Sequence, residues 1–135
     1  DAFQRRRDLV VEGLNKIDGI RCQKPIGAFY VFPNIGSAIE NLGVMDAFGR
    51  LPQYIRRNSS PATLFQLFLL HSYRVATMDR RSFGTIDSEG QHFIRISVAT
   101  GAADLEEAVR RIAEAVTDEA GFRSFVDSGV KLTLE

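Results

Sequence analysis

One segment limits what this chain can fold into more than any other: a helix that is apolar on nearly every side. Ser60 and Pro61 supply a capping hydroxyl and a proline at the first helical position, and they predict a helix over residues 62–73. Between residues 64 and 70 every side chain except one glutamine is apolar. Such a helix needs cover on more than one side, so we expect other elements to pack around it.

The remaining pattern predicts a small sheet and further helices. Amphipathic periodicity predicts a leading helix ended by Gly19, and a later helix that opens at the capping-box spacing Asp104 to Glu107. Gly and Pro make residues 34–58 irregular, with short helical turns. β-Branched and aromatic runs predict strands at residues 20–22, 28–32, 75–78 and 92–99. The predicted fold class is therefore α/β (α+β), a small sheet with helices packed over it.

Composition excludes several classes of protein. The 135 residues fit one domain and carry 17 basic and 17 acidic side chains, so we expect no nucleic-acid partner. No apolar run approaches the ~18 residues that cross a bilayer, and no signal-peptide pattern opens the chain. We therefore expect no membrane contact and a cytoplasmic location. The chain starts at Asp1 rather than at methionine, which leads us to expect a piece of a longer protein.

Residue patterns for self-contained catalysis are weak. The single cysteine, Cys22, excludes an internal disulfide and has no neighbour of catalytic-base type, so we interpret it as a buried structural thiol. His71 and His92 do not form a metal-ligand spacing, so no metal site is predicted. Phosphate-binding glycine motifs and the nucleophile elbow are missing from the sequence.

One arginine differs from the others because of its place in a predicted strand. Alternation along residues 92–99 puts Ile94 and Ile96 on one face and Arg95 on the other. A guanidinium stays charged at neutral pH and must be paired if it is buried. Its partner is either a carboxylate from elsewhere in the fold or a ligand anion, because arginine's planar fork matches a carboxylate with two parallel hydrogen bonds. The residues alone leave both interpretations open.

Two motifs together resemble one enzyme family. The stretch PIGAFYVFP, residues 25–33, resembles P-x-G-(A/T)-F-Y-x-F-P of the class I/II pyridoxal-phosphate aminotransferases. The strand FIRISVA, residues 93–99, is similar to their (F/Y)-(I/V/L)-R-(I/L)-(S/A)-x-(A/S) strand near the C-terminus. The leading helix and the EEAVRRI helix, residues 106–112, occur in the matching order. The resemblance extends over about residues 2–118.

The resemblance implies a place within a larger enzyme. Residues 1–118 would form the C-terminal small domain of a fold-type I pyridoxal-phosphate-dependent transferase, and residues 119–135 an extension of uncertain structure. The parent protein would be an aminotransferase of the aspartate type. It would take small-molecule amino-acid and 2-oxo-acid substrates, and at full length it would form a homodimer.

The resemblance also implies which residues meet the substrate. The arginine of the family's strand grips the substrate α-carboxylate, a role that falls to Arg95 by position. The implied substrate-binding residues are Arg95, Phe83, Gly84 and Gly27. The family's P-G-x-x-F-G loop keeps only its last two residues here, so the P-G turn is lost. Arg80 and Arg81 lie in that loop, where they either touch an acidic substrate side chain or are simply solvated.

The parts of the family that this chain lacks limit what it can do alone. The Schiff-base lysine, the acidic residue at the pyridinium nitrogen and the phosphate cup belong to the family's large domain. The lysines here, Lys16, Lys24 and Lys131, do not stand in that context. We therefore expect pyridoxal phosphate to be bound mainly by the large domain of the parent chain. Catalytic and cofactor-binding residues are expected to be none in this chain, which would be inactive by itself.

Two alternatives stay open on the sequence. A carboxylate clamp does not decide the fate of the carbanion once it has formed, so the parent could be a pyridoxal-phosphate-dependent lyase of the same fold. The chain could also be a standalone, non-catalytic α/β module that uses Arg95 to bind a carboxylate ligand.

Overall fold

Helices surround a small antiparallel sheet in the computed structural model, which describes residues 2–24, 29–79 and 92–128. This arrangement confirms the predicted fold class. In chain order the elements are α1 (Ala2–Asn15), β1 (Tyr30–Val31), α2 (Gly36–Leu42), α3 (Val44–Gly49), α4 (Gln53–Arg56), α5 (Pro61–Tyr73), β2 (Met78–Asp79), β3 (Ile94–Ser97), α6 (Ala102–Ala115) and α7 (Glu119–Asp127).

The sheet has β3 at its centre, with β1 and β2 antiparallel on either side. Backbone pairing between β1 and β3 continues past the strand ends: Val98 N donates to Phe29 O at 2.8 Å, and Ile35 N donates to His92 O at 2.8 Å. An isolated antiparallel bridge joins Arg21 to Asn34 and adds a further short pairing. The strand predicted at 20–22 therefore forms only a bridge, and the strand predicted at 28–32 is observed as Tyr30–Val31, with residue 28 outside the described residues.

Helix α5 is the central element of the core, as its apolar sequence predicts. Ser60 Oγ accepts from the Thr63 backbone N–H at 3.1 Å, and Thr63 Oγ1 accepts from the Ser60 backbone N–H at 3.1 Å. This reciprocal cap, with Pro61 in the first turn, starts the helix at the predicted position. Every residue from 62 to 69 is buried. Helices α2, α3, α6 and α7 and strand β2 all contact α5, so the chain itself provides cover on several sides.

Helices α1 and α6 pack closely because a glycine lies at their contact. A Cβ on Gly13 would come within 2.9 Å of Val109 Cγ1, a distance that only glycine avoids without displacing its neighbour. Val10 and Leu14 on the same helix are fully buried. Gly19 follows the helix with φ +89°, and a Cβ there would lie 2.7 Å from the Ala38 backbone N. Helix α1 therefore ends at Asn15, four residues before the glycine predicted to end it, and Gly19 makes the turn that follows.

Two predicted boundaries are wrong. Helix α6 begins at Ala102 with Gly101 at its N-cap, so Asp104 is not a capping residue. Asp104 lies in the first turn, where its charge complements the exposed helix N–H groups, and this explains the misleading spacing. The strand predicted at 75–78 begins later, because Arg74 adopts a left-handed conformation (φ 58°) and Val75 N closes α5 by donating to Leu69 O at 3.0 Å.

The C-terminal helix α7 belongs to the same core. Phe122 and Phe125 are buried, and their ring centroids lie 5.3 Å and 5.6 Å from that of Phe68 on α5. The first part of the extension whose structure the sequence left uncertain is therefore a helix that packs on the central helix. The domain boundary at residue 118 stays a prediction, and the residues after 128 lie outside the described ranges. No helix in the described part of the chain is long and apolar enough to cross a membrane.

Candidate functional site

Arg95 lies in the middle of the central strand, as the sequence pattern requires. Its neighbours Ile94 and Ile96 are 0% and 7% exposed, so they anchor the inner face of β3 in the core. Arg95 is half-buried and Ser97 is exposed on the opposite face. The strand therefore presents Arg95 away from the core at a position that two buried neighbours hold in place.

An aromatic ring lies directly against the Arg95 guanidinium. The Arg95 Cζ atom is 4.3 Å from the centroid of the Tyr30 ring, well within the ~6 Å at which a cation and an aromatic face attract each other. Tyr30 lies opposite Ser97 across the β1–β3 ladder, so Tyr30 and Arg95 are diagonal neighbours on one face. Sequence reasoning missed this contact, because only the strand register decides which residue reaches Arg95.

Backbone contacts hold the strand that carries Arg95 at its start and along its edge to β2. At its start, the His92 carbonyl accepts from Ile35 N. The His92 side chain is partly buried, and this burial lowers the pKa of its imidazole below the usual value. On the other side of the sheet, Met78 pairs with Arg95 in the β2–β3 register. The arginine is thus held on a strand with neighbours on both edges, a more rigid support than a loop.

The other sequence-predicted site residues cannot be placed beside Arg95. Gly27, Phe83 and Gly84 lie outside the described residues, as do Arg80 and Arg81. Their assignment to the substrate site stays a prediction.

The interpretation of Cys22 as a structural thiol is confirmed. Cys22 is 6% exposed, and burial raises its pKa to about 11. Its backbone N–H and C=O are both held by the Asn15 side chain at 2.8 Å. A thiol with so high a pKa is a poor nucleophile at neutral pH, so Cys22 is a packing residue of the core.

Other polar clusters on the described surface stabilise helices rather than form a site. On α6, Glu107 accepts from Arg111 Nε at 2.9 Å and also pairs with Arg110, whose guanidinium reaches Glu114 as well. These hydrogen bonds, first from Arg110 and then from Arg111, lower the pKa of Glu107 to about 2. Within the described residues, no group of three His, Cys, Asp or Glu side chains could hold a metal ion.

A polar groove of about 720 Å³ lies between the end of α1 and the start of α2. Asn15, Arg21, Asn34 and Asn41 are among its lining residues, but Arg95 is not. Asn15 and Asn34 already use their side chains on the backbone of Cys22 and Gly36. Two of its lining amides are therefore structural, and the groove does not include Arg95.

Comparisons with known proteins identify a family for most of this chain. The family model for aminotransferase class I and II matches residues 1–112. An aspartate aminotransferase of Rhizobium meliloti (strain 1021) is 41% identical over 115 residues, which cover 85% of this chain and 24% of that protein. A probable aspartate/prephenate aminotransferase of Aquifex aeolicus is 35% identical over 118 residues, covering 87% of this chain and 24% of that protein.

Solved structures give the same result. The crystal structure of an aspartate aminotransferase from Rhizobium meliloti superposes with a TM-score of 0.62 at 39% identity, over 84% of this chain and 25% of that one. An aromatic aminotransferase from Pyrococcus horikoshii superposes with a TM-score of 0.60 at 29% identity, over 89% and 26% of the two chains. The chain therefore belongs to the aminotransferase class I and II family, and it spans about a quarter of the length of the relatives that it matches.

The family implies pyridoxal phosphate as cofactor, but the described residues do not fit a site for it. A lysine that holds this cofactor must reach its aldehyde with an unpaired amine. Lys16 is exposed just after α1, and Lys24 Nζ is exposed and pairs with Asp8 Oδ1 at 2.9 Å. Neither lysine lies on the sheet that carries Arg95, so the described ranges contribute no group suited to holding the cofactor's aldehyde.

Proposed function

We propose that this chain is the C-terminal small-domain part of a pyridoxal-phosphate-dependent aminotransferase, in which Arg95 binds the α-carboxylate of the substrate. The observation that carries the proposal is the outward presentation of Arg95 from the middle of a strand whose inner face is buried. The family match over residues 1–112 supports the enzyme class. The aspartate aminotransferases among the relatives support an aspartate-type substrate.

Arg95 supplies orientation in this proposal. Its fork donates two parallel hydrogen bonds to a carboxylate, which fixes both the position and the rotation of that group. Because Ile94 and Ile96 lock the strand, the α-carbon next to the carboxylate is held in one place. Such positioning converts a loose encounter into an aligned one, which lowers the entropic part of the activation barrier.

The cofactor chemistry belongs to the rest of the parent protein in this proposal. Neither described lysine is placed to hold pyridoxal phosphate, so we propose that the large domain binds it and that the isolated chain is inactive. Gly27, Phe83 and Gly84 are proposed to line the substrate. We further propose that the full-length parent is a cytoplasmic homodimer whose large domain packs against this chain, without nucleic-acid or membrane partners.

The decisive experiment is Arg95→Ala in the full-length parent enzyme, assayed with aspartate and a 2-oxo acid. Loss of a charged bidentate contact should lower kcat/KM by about 30- to 1000-fold, equivalent to ~2–4 kcal/mol. The kcat/KM of Arg95→Lys should lie between those of the unsubstituted enzyme and Arg95→Ala, since lysine keeps the charge but lacks the planar fork. Arg57→Ala, a change to an exposed arginine after α4, is the matched control and should leave kcat/KM within about twofold.

Other outcomes would change the assignment. An unchanged kcat/KM in Arg95→Ala would refute the role of Arg95. Release of ammonia or of a side-chain fragment, in place of transfer to the 2-oxo acid, would show a lyase. A stoichiometric absorbance band from the isolated chain with pyridoxal phosphate, abolished by substitution of one lysine, would overturn our placement of the cofactor in the large domain.

A further inference from the structure

We propose that Tyr30 is a positioning residue for Arg95, and this inference rests on the proposed role of Arg95 in carboxylate binding. The Arg95 guanidinium lies over the Tyr30 ring, with 4.3 Å between Arg95 Cζ and the ring centroid. An arginine side chain has many rotamers, and immobilising it on binding reduces affinity. A ring that holds the guanidinium before the ligand arrives removes part of that loss.

The strand register is the reason that Tyr30 reaches Arg95. Tyr30 pairs with Ser97 and Val31 pairs with Ile96, so Tyr30 is on the face of the sheet that carries Arg95. Diagonal neighbours on antiparallel strands lie within reach of aromatic side chains. Val31 is fully buried and the Phe29 carbonyl accepts from Val98 N, so β1 cannot slide without breaking the core. The ring is therefore fixed relative to the arginine.

The chemistry of the contact suits a binding arginine. An aromatic partner attracts the flat face of a guanidinium, whereas a carboxylate partner engages the N–H groups at its edge. A ring contact therefore steadies the side chain by a different surface from the one that a substrate carboxylate requires.

The test uses the full-length parent enzyme with three variants. Tyr30→Leu removes the ring, Tyr30→Phe keeps it, and Tyr54→Leu removes a tyrosine that is 63% exposed on α4. We expect Tyr30→Leu to raise KM for the amino acid by about 3- to 30-fold with kcat nearly unchanged, because positioning aids ground-state and transition-state binding alike. The KM values of Tyr30→Phe and Tyr54→Leu should stay within about twofold of that of the unsubstituted enzyme.

A double-mutant cycle separates positioning from general damage. If Tyr30 acts through Arg95, Tyr30→Leu should have little further effect on KM in the Arg95→Ala background. The full 3- to 30-fold effect in that background would overturn the proposal. A failure of Tyr30→Phe to restore the parent KM would also overturn it, because the hydroxyl rather than the ring would then be the active group.

A measurement on the unmodified protein keeps the inference testable if Tyr30→Leu does not fold. With arginine labelled by nitrogen-15, the Arg95 Nε–H proton should be shifted upfield by the Tyr30 ring current, relative to Arg57. It should move to the ordinary position in Tyr30→Val and stay shifted in Tyr30→Phe. An unshifted signal in the parent would overturn the stacking itself. This result is independent of the proposed role of Arg95, which fails if Arg95→Ala leaves kcat/KM unchanged.

Discussion

Aromatic side chains occupy two regions of this molecule in opposite ways. On α5 and α7, Phe68, Phe122 and Phe125 pack together and are at most 5% exposed. At the sheet end, Phe29 and Tyr30 are 55% and 37% exposed, although they lie in a strand region. The first region has closed its apolar surface within the chain, whereas the second leaves large rings at the surface beside a half-buried arginine.

The difference indicates that one region contributes to folding stability and the other to contact with other molecules. Buried rings contribute to folding through the surface that they remove from water. Exposed rings contribute little to folding, so their presence in one cluster points to contact with something else. The sheet end therefore suits the proposed carboxylate site and the proposed contact with the large domain, while α5 and α7 provide the rigid support.

The largest expected loss of stability comes from a substitution in the buried aromatic region. Phe68→Ala should destabilise the protein by about 3–5 kcal/mol, because it removes a fully buried ring and leaves a cavity among its aromatic neighbours. Chemical denaturation of the full-length protein measures this change. Phe29→Ala is the matched control from the exposed region and should cost less than about 1.5 kcal/mol, mainly from its edge contact with Phe3 at 5.1 Å. Equal losses would contradict the contrast between the two regions.

A smaller effect tests how α7 is attached to α5. Asp118 caps α7 by accepting from Gly121 N at 2.9 Å, and it accepts from the Tyr73 hydroxyl at 2.7 Å. Burial, followed by this carboxylate, raises the pKa of Tyr73 to about 12. We expect Asp118→Ala to cost about 1–2 kcal/mol in denaturation experiments. Asp118→Asn keeps an acceptor for the cap and should lose less, and identical losses would argue against a capping role.

The smallest effect concerns the buried thiol of Cys22 and depends on pH. Burial raises the pKa of Cys22 from 9.0 to about 11. Since the folded state holds the thiol proton more tightly than the unfolded state, this contribution to stability is complete below pH 9 and is lost as the pH rises towards 11. The melting temperature should therefore decrease as the pH is raised from 9 to 11, and it should decrease less steeply in Cys22→Ala. Alkylation of the native thiol at pH 8 should be at least ~10-fold slower than in denaturant.

The sequence predicted the elements whose signals are local. The cap of α5 at Ser60, the turn at Gly19 after α1 and the outward face of Arg95 all follow from short patterns, and the structure shows each. The start of α6 did not follow, because an acid in the first turn and an acid at the cap produce nearly the same spacing. Local chemistry cannot separate those two positions when the cap residue is glycine.

The composition and periodicity of this chain determined that an apolar helix had to be covered and that one arginine had to face away from the core. These results depend on neighbours a few residues apart, which the sequence states directly. Only the tertiary structure decided that Tyr30 lies against Arg95 and that α7 covers Phe68. Both contacts join residues distant in the chain, and they depend on strand register and helix packing, which are set by the whole core at once.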